Sequence, residues 1–524
     1  MAQGSGPSPS TPVGLLPSPV TSGVSMLPDA SAASVCAALA ATLVSLLILL
    51  TRRRRRKLVA PAPYSSRDFL VHEDLVDQQV RGDHLAFNAH LRRQFGGEKF
   101  VPVRGEDGCF IAFDYATCKE VMSDAAAFSS NPFPDGRLVA LNTMSKADHT
   151  RVLRYVHGYY TQAELERLEG RFQEAAERCT AELDRAGPGA DVMVWAKRLH
   201  MASTLLRLGV EAAAAEQSWD FVDEVVELND AMVALVAPLG GVGKKYETLP
   251  PGQLVRVLLG LFGSVWPMLS MVRRLGLRCT WEIVRPDSSI LWPPERPRMG
   301  LWWHPELLPL VPRYFLSLQD LLEGPAAAEG PLAGIREGVA KGDLRLEEAL
   351  TLMVQLMVNM TSANALGNMV FRLCTEREVA REVFADPDRL ATAFVQEVLR
   401  FDAPLQRNPR RVVQATGKWA ASPLRPGDQV LLFLGAANRD PAAFERPDEF
   451  RLDRPEKPPA LSFGSGMHYC LGSSLVKLEM RLALRCLLKR FESVELGGYE
   501  RLVDVDVGNW GFRHLQVTPK RRSS

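Results

Sequence analysis

Cysteine is sparse and never clustered: the 524 residues hold 8, at positions 36, 109, 118, 179, 279, 374, 470 and 486, with no Cys-x-x-Cys pair. That spacing excludes a zinc ribbon and a thioredoxin-type redox pair, and the density is too low for a secreted disulfide scaffold. A surplus of charge is also missing, with 62 Lys and Arg against 61 Asp and Glu and a formal net charge of +1. Such a balance gives no electrostatic reason for a nucleic-acid partner. No Gly-x-Gly-x-x-Gly opens a strand–helix unit, so no dinucleotide domain is fused to the chain. The first thirty residues contain no Lys or Arg, which excludes an organelle transit peptide.

What is present is a body with 46 % hydrophobic and 23 % charged residues, enough to bury a large core. Residues 1–30 are rich in Ser, Pro and Gly, carry Asp29 as their one charge, and read as a disordered tail. From Ala32 to Leu50 no residue is charged. About 20 such residues, rising 1.5 Å each, cross a hydrocarbon core of roughly 30 Å. Arg52 to Lys57 follow as an unbroken basic run. A cleaved signal sequence would place its charges before the apolar run; charges after it keep that end on the cytoplasmic side. The pattern predicts a single-pass transmembrane anchor over 31–51, a basic, proline-containing linker over 52–63, and one large cytoplasmic domain over 64–524.

Within that domain, apolar residues recur at helical spacing over Gln162–Leu183 and Glu347–Cys374, while Phe100–Val103, Cys109–Phe113 and Val430–Leu434 read as short strands. The expected fold class is mainly α with small β-sheets. Val257–Val272 is apolar and flanked by arginines, but too short to span a bilayer comfortably; it is either a segment dipping into one leaflet or a buried core helix. Pro286 to Pro312, with Trp292, Trp302 and Trp303, predicts an irregular loop with an aromatic face.

The sharpest local feature is Phe463-Gly464-Ser465-Gly466-Met467-His468-Tyr469-Cys470-Leu471-Gly472, followed by an apolar helix. Glycines let such a loop turn tightly and let a flat group approach its backbone. Backbone amides and the positive end of the helix favour a thiolate at Cys470. The segment resembles the haem-binding loop of cytochromes P450 and satisfies every fixed position of the form Phe-Gly-x-Gly-x-His-x-Cys-x-Gly of the family's bacterial-like branch. The resemblance implies the cytochrome P450 fold and a b-type haem whose iron is ligated by Cys470. It also implies that Phe463, Gly464, Gly466, His468 and Gly472 line the cofactor. A thiolate ligand pushes electron density towards bound oxygen and helps O–O cleavage.

Other landmarks fall in the order the family has them. Glu397 and Arg400, one helical turn apart, resemble its Glu-x-x-Arg pair, with Arg454 as the third member of a structural charge cluster. His149, in Ala147-Asp-His149-Thr-Arg151-Val-Leu-Arg154, is similar to a haem-propionate donor; Leu153 replaces the family's commoner arginine, and Arg154 is the substitute. Arg410 and His468 align with further propionate partners.

The long helix departs from the pattern. Where monooxygenases of the family carry Ala-Gly-x-acid-Thr, this chain has Met357-Val358-Asn359-Met360-Thr361, so a thioether stands in the acid's place. Losing a positioned acid costs roughly 10²–10⁴ in rate. Thr361, Asn359 and Met360 are the implied catalytic positions, and three readings stay open. The first is a monooxygenase oxidising a lipophilic small molecule with electrons from a separate ferredoxin or flavin reductase. The second is a haem-thiolate isomerase, dehydratase or reductase that activates no dioxygen. The third is a non-catalytic haem-binding sensor. Family position makes Met357, Asn359, Met360 and Asn509–Phe512 pocket candidates, and puts extra length near 240–315, at the substrate entrance. Lys477, Arg481, Arg485 and Lys489 repeat every four residues, either as a docking row for an acidic electron donor or as a solvated helix face.

Overall fold

The computed structural model describes residues 70–71, 84–104, 108–131, 141, 144–210, 219–220, 222–228, 251–284, 309–324, 330–357, 360–502 and 508–522. The tail, the anchor over 31–51 and the linker over 52–63 lie outside them, as do Val358 and Asn359.

Helices dominate, with two small sheets. The larger sheet runs in the order β1 (Leu70–Val71), β2 (Val101–Arg104), β3 (Cys109–Ala112), β7 (Gln429–Phe433), β6 (Arg407–Val412), β4 (Phe128–Ser129). The smaller has the order β5 (Ala190–Asp191), β9 (Phe512–Arg521), β8 (Phe491–Arg501). The strands read from sequence near 100–103, 109–113 and 430–434 are β2, β3 and β7. Leu434 leaves β7 to begin a one-turn helix.

The helices used below are α1 (Tyr115–Ser123), α2 (Lys146–Leu153), α3 (Gln162–Ala186), α4 (Val192–Leu208), α5 (Pro251–Val284), α6 (Leu310–Glu323), α7 (Leu346–Leu356), α8 (Met360–Thr375), α9 (Pro387–Phe401) and α10 (Ser473–Arg490). In α3 the Thr161 hydroxyl caps the first turn by accepting from the Glu164 amide. Leu165, Leu168, Phe172, Ala176, Cys179 and Leu183 then bury one stripe. That stripe packs on α4 and α10, and α4 packs on α8, so the apolar core sits between these four helices.

The helix expected over 347–374 is carried by two described segments, α7 and α8, on either side of 358–359. By composition Leu346–Thr375 could cross a membrane, but 75 % of its most apolar window is buried inside the protein, which makes it a core element. Val257–Val272 falls within α5, and Pro312 is helical in α6 rather than part of a loop.

Candidate functional site

The Cys470 loop is built as its glycines suggest. Gly464 (φ 75°) and Gly466 (φ 73°) take left-handed conformations that side chains rarely adopt. A Cβ on Gly466 would come within 2.7 Å of the Met122 carbonyl oxygen and the Ser123 Cα, so the loop lies directly on the end of α1. The Ser123 and Ser465 hydroxyls meet at 3.0 Å. The Cys470 amide donates to the Phe463 carbonyl at 2.9 Å, closing the loop, and Gly472 is the N-cap of α10.

Cys470 combines two properties that rarely coincide. It keeps an exposed face, yet burial among its neighbours is the leading influence on its thiol and holds the pKa above the ordinary value. The Gly472 amide and the Lys477 ammonium pull the other way, but not far enough. The sequence-based expectation that loop and helix alone favour the thiolate is therefore corrected: in the protein by itself desolvation wins. A coordinated metal cation reverses that balance, because a ligating thiol is deprotonated outright.

Around the loop stand one buried guanidinium and two imidazoles with no carboxylate beside them among the described residues. Arg410 is buried on β6 and bonds the Asn408 side chain and, at 2.7 Å, the Pro409 carbonyl. No described carboxylate answers its charge, and burial pushes its guanidinium down to about 10. The ring of His468 lies edge-on to that of buried His149, with centroids 5.1 Å apart. Burial, then Arg410 and His149, push His468 down to about 4, while its Nδ1 is buried with no partner among the described residues. Burial also lowers His149. An uncompensated guanidinium and an orphaned imidazole nitrogen two residues from a cysteine are costly. They fit a bound group carrying carboxylates, as haem does. Arg154 is not part of this set: it pairs with Asp343 at 2.5 Å and lies over the Tyr155 ring at the far end of α2.

Glu397, Arg400 and Arg454 are brought together. Glu397 accepts from Arg400 Nε (2.8 Å) and Nη2 (2.7 Å), from Arg454 Nε (2.9 Å) and from the Arg451 amide (2.9 Å). Arg400 Nη1 reaches on to the Asn438 and Pro447 carbonyls, both at 2.9 Å, so the end of α9 is tied to the segment leading to the Cys470 loop.

At the start of α8, Thr361 is half-buried, and the Met360 sulfur accepts from the Asn509 amide Nδ2 at 2.9 Å. Further along the same helix Asn368 Nδ2 donates to the Trp510 carbonyl at 3.0 Å, and the Phe371 and Phe512 rings stand 5.0 Å apart. The 509–512 segment is thus seamed along α8. Of the pocket candidates, Met357 and Phe512 are buried, and Trp510 and Phe512 enclose the Arg501 guanidinium at 4.4 and 4.0 Å. Asn359 lies outside the described residues.

The basic row on α10 is partly neutralised. Arg481 pairs with Glu169 at 3.7 Å and Arg485 with Asp388 at 3.1 Å, while the Lys477 ammonium sits 5.2 Å from the Phe463 ring centroid. Sequence reasoning missed a buried pair behind the loop, His200 Nδ1 with Glu479 Oε2 at 2.8 Å. Its local signal in sequence is the set His200, Ser203, Thr204 and Arg207, all of them buried polar residues of α4.

A family profile described as Cytochrome P450 matches residues 389–500. The chain is 38 % identical over 181 residues to Cytochrome P450 144 of Mycobacterium tuberculosis, covering 34 % of this chain and 39 % of the relative. It is 39 % identical over 186 residues to the biotin biosynthesis cytochrome P450 of Bacillus subtilis, covering 35 % and 45 %. The matched part therefore spans less than half the length of these curated relatives. Among solved structures, P450BioI in complex with hexadec-9Z-enoic acid ligated acyl carrier protein superposes with a TM-score of 0.62 at 20 % identity, over 85 % of this chain and 100 % of that one. CYP109E1 from Bacillus megaterium, in complex with testosterone, gives 0.62 at 17 % identity, over 84 % and 99 %. At such identities the superpositions speak for the fold.

Proposed function

We propose that this chain, whose residues 389–500 match the cytochrome P450 profile and which shares that family's fold, is a haem-thiolate monooxygenase that oxidises a lipophilic small molecule. Electrons come from a separate ferredoxin or flavin reductase. The observation that carries this reading is that exposed Cys470 lies two residues from His468, whose Nδ1 is buried with no partner among the described residues, and that His468 in turn feels a buried Arg410 answered by no described carboxylate. Cys470 would hold the iron, and Arg410, His468 and His149 would take the propionates. The haem supplies the redox centre and the site of oxygen activation. The chain's own residues do the rest. The left-handed turns at Gly464 and Gly466 let the loop fold back and seat it on the end of α1. The Gly472 amide and Lys477 stabilise negative charge on the sulfur. The half-buried Thr361 hydroxyl, at the start of α8, would be the group that holds a proton near the reacting atoms. Asn509 anchors the Met360 thioether beside it, so no carboxylate shares that task. The N-terminal run over 31–51 anchors the enzyme in a membrane, with the catalytic domain on the cytoplasmic side.

Apolar substrates are supported by Met360 at the groove and by the anchor. Since one neighbour was solved with a fatty acyl chain and another with testosterone, fatty acids and sterols head the compounds to test. Haem-loaded protein, a generic electron donor and isotopically labelled dioxygen are incubated with a lipid extract, and products are read by mass spectrometry. One labelled oxygen atom per product, lost in Cys470→Ser, is the expected outcome. Products that change without label would overturn monooxygenation and favour the rearrangement chemistry that Met360 first suggested.

A further inference from the structure

Behind the Cys470 loop the protein buries a second set of charges that the proposed chemistry has not used. Arg207, in the last turn of α4, is 3 % exposed. Its Nε and Nη1 are buried with no hydrogen-bond partner among the described residues. The guanidinium lies 3.9 Å from the centroid of the Tyr160 ring. Tyr160 closes a 3₁₀ turn (His157–Tyr160) and is half-buried. Desolvation pushes its phenol up to about 12; charge on the Cys470 sulfur acts the same way and Arg207 against it. On its other side Arg207 feels the Glu479 carboxylate. That carboxylate holds His200 Nδ1 through Oε2 at 2.8 Å, while its Oε1 is buried with no partner among the described residues. The order leading away from the sulfur is therefore Tyr160, Arg207, Glu479, His200. Glu479 stands seven residues, about 10 Å, along α10 from the Gly472 cap.

A buried guanidinium that leaves two nitrogens unpaired costs stability. What an under-bonded cation keeps is its field, and the interior screens that field far less than water does. We infer that Arg207 tunes the redox centre: held against Tyr160 on the sulfur side of the cluster, it stabilises the negative charge gained when the iron bound by Cys470 accepts an electron, and so raises the reduction potential of the haem. The inference rests on the reading that Cys470 ligates haem iron. The positive end of the Arg207–Glu479 pair faces the sulfur, so the two residues act with opposite sign. The guanidinium favours the reduced form and the carboxylate behind it the oxidised form. At an effective dielectric of about 20, a unit charge roughly 10 Å away is worth about tenfold in a one-electron equilibrium.

The test is a dye-coupled redox titration of the full-length, haem-loaded protein, followed by haem absorbance. R207M removes a buried, under-bonded cation while keeping most of its bulk. It should shift the equilibrium about tenfold towards the oxidised form, a fall of about 59 mV for one electron. The shift should persist in about 1 M salt, because buried charge is screened far less than surface charge. E479Q removes only the carboxylate and should move the couple the other way; it reads the sign independently if R207M folds poorly. A shift of less than about twofold in R207M, a shift in the same direction in both variants, or a shift abolished by salt overturns the inference. X-ray absorption at the iron edge separates this from the ligation. A sulfur scatterer in the parent with an unmoved couple in R207M overturns the tuning alone, whereas iron without sulfur in the parent overturns the ligation as well.

Discussion

Replacing Glu397 by Gln tests the charge cluster that ties α9 to the approach of the Cys470 loop. The carboxylate accepts four hydrogen bonds, three of them from guanidinium groups, and Glu397 and Arg400 are both buried. Glutamine keeps the shape but removes the charge and turns an NH₂ towards donors. Two guanidinium groups are then left facing each other with only carbonyls for company. Breaking a buried ion pair from one side costs about 3–5 kcal/mol, a large share of the roughly 5–15 kcal/mol that holds a domain together. With a urea slope of about 3 kcal/mol/M or more for a chain of this length, the unfolding midpoint should fall by about 1 M. In the double variant E397Q/R400M the loss should be smaller than the sum of the two single losses, since only the part-buried Arg454 is then left without its carboxylate. A midpoint within about 0.2 M of the parent would refute the claim that the cluster is a buried electrostatic tie.

Arg410→Met should act with opposite signs on the two forms. The haem-free protein gains urea stability because a buried unpaired cation is removed. Haem affinity, read by transfer of haem to an acceptor protein, falls about ten- to a hundredfold for the loss of roughly 1.5–3 kcal/mol of charge-assisted bonding. For His149, burial depresses the folded pKa, so the unfolded chain takes up its proton first. Haem-free protein therefore loses stability as pH falls below about 6.5 towards the depressed folded value, and urea titrations of His149→Gln should show a shallower loss in that window. Met360→Glu places a carboxylate against the Asn509 donor; oxygen-coupled product should rise by an order of magnitude or more if an acid is what the groove lacks. Loss of native turnover in that variant would instead mark the thioether as part of a purpose-built site.

What was legible in the sequence was what local pattern encodes. The glycine spacing around Cys470 dictates the loop, the three-residue step from Glu397 to Arg400 dictates a shared helix face, and the apolar stripe of α3 dictates its buried side. What was not legible depends on partners brought in from far along the chain. Arg154 lies in register to serve as a propionate donor, but Asp343, 189 residues later, takes it. The basic row on α10 looks continuous until Glu169 and Asp388 meet two of its members. Met360 reads as a missing acid, and nothing local says that an amide 149 positions away will hold its sulfur.

The ligation itself is the most direct point of attack. X-ray absorption at the iron edge of the haem-loaded protein should show one sulfur in the first coordination shell, and that scatterer should vanish in Cys470→Ser while haem is still retained through Arg410, His468 and His149. A sulfur signal that persists in Cys470→Ser, or none in the parent, would contradict the account at its centre.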